Sequence, residues 1–155
     1  MIQRIQTLFL LMTTVLPLLF LKLKFIAFTD NDGISYFMRL NGLFSSAYDQ
    51  PVTLIRQILP VSIPVLMIPL LSLISVFLFR KRKLQMNFAL LLILLSAVSV
   101  ITLTIYSFLT IREFHAKIVP GFMMIVPLLL LIFSILAFRS IKKDEDLVRS
   151  YDRLR

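Results

Sequence analysis

Residues Arg80–Ile111 read RKRKLQMNFALLLILLSAVSVITLTIYSFLTI. Four consecutive cations precede 28 residues, Leu84–Ile111, that contain no Asp, Glu, Lys, Arg or His. As a helix this run would be about 42 Å long, more than the ~30 Å hydrocarbon core of a bilayer. It predicts a transmembrane helix that tilts or projects, introduced by a basic turn.

Three other stretches lack ionisable residues in the same way: Ile5–Leu21, Gln57–Phe79 and Ile118–Phe138. Together the four hold 89 of the 155 residues, so the other 66 carry every charge and the single histidine. Apolar residues make up 59% and charged residues 16%, where soluble domains carry roughly a quarter charged. This segregation excludes a soluble enzyme and predicts an all-α membrane protein, one domain over 1–155 with four transmembrane helices.

Each span has its own features. Ile5–Leu21 is short, and Lys22 and Lys24 can snorkel to the interface to close the gap. No small-residue cleavage site follows it, so a membrane anchor is expected rather than a removed signal peptide. Gln57–Phe79 carries Pro60, Pro64 and Pro69. Pro60 suits a first helical turn, and the other two predict a kink that shapes packing. In Leu84–Ile111, Ser96, Ser99, Thr102, Tyr106 and Thr110 recur at helical spacing and form one polar stripe, suited to close helix packing or, alternatively, to lining a solute path. Ile118–Phe138 starts near Pro120-Gly121 and runs into the charged 139–155 tail without a stop signal, which predicts a helix continuing out of the membrane.

Orientation follows from the flanking cations. Arg4, Arg80, Lys81, Arg82, Lys83 and six residues of the tail put eleven of the seventeen Lys and Arg on one side. The positive-inside rule makes that side cytoplasmic, with both termini inside and Arg80, Lys81, Arg82 and Lys83 as the main determinants of topology. The net charge of +9 is thus explained by topology and anionic lipid rather than by nucleic acid.

The 22–56 connection then lies outside the cytoplasm. Lys24–Thr29 and Ile34–Leu40 are strand-like, and Asp30-Asn31-Asp32-Gly33 between them is a turn signal. They predict a β-hairpin, followed by a loop from Asn41-Gly42 to Pro51 and a helical lead-in to the second span.

No chemistry motif emerges. The absence of cysteine excludes disulfides and thiolate metal sites. His115 and Glu113 share a short connection but make neither a metal site nor a catalytic pair. No Asp, Glu, His, Lys or Arg lies within a span, which argues against ion-coupled transport. Neither an enzyme activity nor a cofactor is expected. In the tail, Leu147, Val148, Tyr151 and Leu154 share a helical face flanked by Arg149, Arg153 and Arg155, a candidate surface for docking a partner protein. Alternatively, the tail folds back with Asp144, Glu145 and Asp146 near Arg80–Lys83.

The opening Met1-Ile2-Gln3-Arg4-Ile5-Gln6-Thr7, the turn at Arg80–Gln85 and the ending Lys143-Asp144-Glu145-Asp146-Leu147-Val148-Arg149-Ser150-Tyr151-Asp152-Arg153-Leu154-Arg155 carry a family resemblance. They resemble an uncharacterised family of small four-helix membrane proteins of Bacteroidota, catalogued as a domain of unknown function. The resemblance implies a bacterial inner-membrane setting and brings no activity or site residues. The expected role is a non-catalytic accessory or scaffolding subunit of a membrane complex. The alternatives are a small transporter or channel component and a lipid-interacting membrane protein.

Overall fold

A computed structural model describes residues 2–20, 23–30, 33–47 and 51–152. The chain is mostly helical, with a small antiparallel sheet. Helix α1 spans Ile2–Leu19, and strands β1 (Ile26–Thr29), β2 (Ser35–Arg39), β3 (Gly42–Ser46) and β4 (Thr53–Arg56) follow. Then come α2 (Leu59–Phe77), α3 (Arg82–Phe114), strand β5 (Lys117–Val119) and α4 (Val126–Asp152).

Three helical segments, Leu59–Phe77, Arg82–Phe114 and Phe122–Val148, are long and apolar enough to cross a membrane, and α1 adds a shorter apolar helix, Ile5–Leu19. Helix α2 starts with Pro60 in its first turn, where the missing N–H costs little, and continues through Pro64 and Pro69. At 33 residues, α3 is about 50 Å long.

Helix α1 packs on α2 and α4, and α3 packs on the same two, so the four close a ring. Leu10, Ile68, Leu92, Leu130 and Ile141 are fully buried inside it. Its outside stays apolar, with Leu70, Leu94, Ile101, Phe108 and Ile132 exposed. Water would not tolerate so broad an apolar belt around four helices, whereas acyl chains would.

The predicted hairpin is present, with Thr29 opposite Ser35 and Ile26 opposite Met38. It is the centre of a larger sheet, ordered β4-β3-β2-β1-β5 and antiparallel throughout. The segment read as a loop after Asn41-Gly42 supplies β3, and β4 takes the place of the helical lead-in. Strand β5 takes Ile118 and Val119 from the fourth span, whose helix begins only at Val126, after a 3-10 turn at Phe122–Ile125. Because β5 pairs with β1, the sheet joins the α1–α2 connection to the α3–α4 connection.

Aromatic and polar contacts fix this sheet to the helix ends. Tyr36 stacks on Phe114, with centroids 4.4 Å apart, and Phe20 meets Phe25 edge-on at 4.3 Å. Arg56 pairs with Glu113 at 3.3 Å, and the Ser62 hydroxyl donates to the carbonyl of Leu40. On another part of the sheet, Phe37 is buried beside Phe44 and beneath Lys24 and Arg39.

Candidate functional site

Polar side chains gather at the end of the ring opposite the sheet, where α1 begins, α2 turns into α3 and α4 passes Ala137. The basic stretch that the sequence presents as a turn is built from two helix ends. Leu78–Arg80 prolongs α2 as a 3-10 turn, Lys81 alone bridges, and Arg82 already opens α3. No side chain caps α3, and its first turn holds no acidic residue. Arg82 and Lys83 therefore lie against the positive end of the helix dipole, an arrangement that favours a nearby anion.

Beside this helix start lies a cavity of about 320 Å³, enough for roughly ten water volumes. Its polar lining comes from Gln6 and Thr7 of α1, Arg82 and Gln85 of α3, and Asp144 of α4. Val76, Phe77, Phe79 and Ile141 supply an apolar wall.

The two glutamines join neighbouring helices. Gln6 Nε2 donates to the carbonyl of Ser140 at 3.1 Å, linking α1 to α4. Gln85 Nε2 donates to the carbonyl of Ser75 at 3.1 Å, linking α3 to α2. Both side chains are buried, at 6% and 4% exposure, yet each amide makes one hydrogen bond among the described residues. An amide can make about four. Their remaining hydrogen-bonding capacity borders the cavity.

Arg82 Nη1 donates to the main-chain carbonyl of Asp144 at 3.2 Å. Among the described residues, no ion pair closes its guanidinium onto the Asp144 carboxylate. Opposite charges thus border one cavity without neutralising each other directly. In the sequence Arg82 stands out as a topology signal and Asp144 as a tail residue, whereas Gln6 and Gln85 do not stand out. Their only signal was an amide placed close to a charged end of an otherwise apolar helix.

The predicted tail is helical through Asp152. Asp144 and Glu145 lie beside the basic stretch, Glu145 bordering a shallow recess with Lys81, Arg82 and Lys83. Asp146 instead faces Arg139, Lys142 and Lys143 of its own helix. Leu147 and Val148 are exposed. Arg149 and Tyr151 lie in α4 with side chains outside the described set, as does the side chain of Arg80, and Arg153, Leu154 and Arg155 lie outside the described residues.

Four of the five hydroxyls in the α3 stripe donate within their own helix. Ser96 donates to the carbonyl of Ile93, Ser99 to Leu95, Thr102 to Val98 and Thr110 to Tyr106, each between 2.8 and 2.9 Å. Ser96, Ser99 and Thr110 are buried, so this part of the stripe is packed against its neighbours. His115 is exposed and adopts a left-handed conformation, φ 47°, that ends α3 and turns the chain into β5. Among the described residues, no group of three or more His, Cys, Asp or Glu could hold a metal ion.

Residues 2–154 match the family described as a domain of unknown function (DUF4293), and the chain belongs to that family. No curated protein and no solved structure matches it.

Proposed function

We propose that this member of the family is a four-span protein of the bacterial inner membrane with both ends in the cytoplasm. It serves as a non-catalytic accessory or scaffolding subunit of a membrane complex. The excess of cations at the end opposite the sheet supports that orientation. For the first span, Ile5–Leu19 supplies about 22 Å of apolar helix.

One observation carries the scaffolding role. Helix α4 runs unbroken from Val126 to Asp152, about 40 Å, so its apolar part and its charged part form one rod. Gln6 holds that rod at Ser140 and Arg82 holds it at Asp144, which fixes the direction in which the remainder projects. Leu147 and Val148 are exposed on this projecting part. An apolar face on a rigid arm can dock a cytoplasmic protein with little ordering cost, and the surrounding arginines contribute charge complementarity more than affinity.

Deleting residues 147–155 tests the role, because the cut lies beyond both anchoring hydrogen bonds. Insertion and abundance should be unchanged while a cytoplasmic partner no longer co-purifies. Degradation of the shortened chain, or retention of every partner, overturns the docking role and makes the tail structural.

A further inference from the structure

We propose that the cavity at the basic end of the ring binds the headgroup of a phospholipid bearing both a phosphate and a primary ammonium. This goes beyond the scaffolding role and rests on the reading that the helices span a bilayer.

The cavity is built for a polar occupant. Gln6 and Gln85 are more than nine-tenths buried, each makes one hydrogen bond, and both line the space. Its charges are also specific. A guanidinium and a carboxylate border it, and among the described residues they form no ion pair with each other. A purely anionic headgroup would satisfy Arg82 and be repelled by Asp144. A zwitterion satisfies both.

The geometry assigns the two ends of that zwitterion. The phosphate belongs at Arg82 and Gln85, beside the uncapped start of α3, where main-chain N–H groups and the helix dipole favour negative charge. The ammonium belongs at Asp144, whose carboxylate accepts hydrogen bonds from a primary amine. A quaternary ammonium has no N–H to donate, so ethanolamine lipids fit and choline lipids do not.

The apolar wall distinguishes a lipid from a soluble zwitterion. Phe77 is 72% exposed and Phe79 55% exposed, at the junction where the apolar α2 meets the cations. Two exposed phenyl rings at that level give acyl chains a surface to lie on while the head enters the cavity.

The full-length chain, purified in mild detergent, is offered an equal mixture of phosphatidylethanolamine, phosphatidylcholine and phosphatidylglycerol with identical acyl chains. Retained lipid is read by native mass spectrometry. The ethanolamine lipid should be retained on the order of ten-fold over the choline lipid, the effect of about one charge-assisted hydrogen bond. Asp144→Asn should erase that ratio, Arg82→Gln should lower retention of all three, and Arg139→Gln, which lies away from the cavity, should change neither. Equal retention of the three lipids by the unmodified chain means annular lipid only and overturns the proposal without any variant. A ratio that survives Asp144→Asn also overturns it, as does displacement of the lipid by millimolar inorganic phosphate, which would mark a free-anion site. Reporter fusions that contradict the four-span arrangement would overturn the proposed topology alone, because the lipid ratio rests only on helices that span a bilayer.

Discussion

The hydroxyls of Thr13 in α1 and Ser72 in α2 lie 2.5 Å apart, both fully buried, and each is within hydrogen-bond reach of the Leu10 carbonyl oxygen. Two protons therefore serve three oxygens, and the two helices meet through them. Between apolar helices in lipid, such contacts contribute about 0.6 kcal/mol on average and up to about 1.7. A double-mutant cycle with Thr13→Val and Ser72→Ala should show coupling in that range, measured by unfolding in detergent. Additive effects would mean that each hydroxyl serves only its own helix.

Ser75 predicts the opposite sign. Its hydroxyl is fully buried and has no hydrogen-bond partner among the described residues, while its carbonyl receives Gln85. Ser75→Ala keeps the carbonyl and removes the unpaired group, so stability should rise by about 1 kcal/mol. A loss on the same assay would show that the hydroxyl has a partner in the membrane-embedded protein.

The sequence made some of these features legible and hid others. The helices follow from runs without charge, because a bilayer excludes ionised side chains over a fixed thickness. The β1–β2 hairpin follows from the Asp30–Gly33 turn, where Gly33 takes φ 78°. Strand β3 was harder: Leu43-Phe44-Ser45-Ser46 has no clear alternation, and its strand character comes from pairing with β2. Strand β5 is three residues long, two of them inside the stretch that reads as membrane-spanning, and its partner β1 is about ninety residues earlier in the chain. The cavity was the least legible. Its polar lining comes from three different helices, and periodicity along one helix cannot show which residues of another will face it.

Two backbone positions should respond sharply to substitution. A Cβ at Gly42 would collide with the Arg56 carbonyl oxygen and lie 2.8 Å from Leu54 Cδ1, at φ 153°. Gly42→Ala should therefore loosen β3–β4 by about 1–3 kcal/mol. His115 holds a left-handed conformation that Gly or Asn adopts readily and a β-branched residue resists. His115→Asn should be neutral and His115→Ile should cost about 1–2 kcal/mol. Proteolysis of the sheet end would report both, and a harmless Ile at 115 would show that the α3–β5 corner can relax.

The basic stretch permits a test in which stability and topology have opposite signs. Arg82 and Lys83 stand in the first turn of α3, where positive charge opposes the helix dipole by about 0.3–1 kcal/mol per group. Replacing Arg80, Lys81, Arg82 and Lys83 with Gln should therefore ease the helix start locally. The same change removes four of the eleven cations that favour a cytoplasmic location for that end. If orientation depends on them, reporter fusions after Arg155 and near Asn31 should change from uniformly internal and uniformly external to mixed, and abundance should fall. The unmodified chain provides the reference, and a periplasmic C-terminus there would itself exclude the four-span arrangement. Reduced abundance with uniform orientation would instead point to the contact between Arg82 and the Asp144 carbonyl, and restoring Arg82 alone should then recover it. Unchanged orientation and abundance would assign the topology signal to Arg139, Lys142 and Lys143 at the start of the tail.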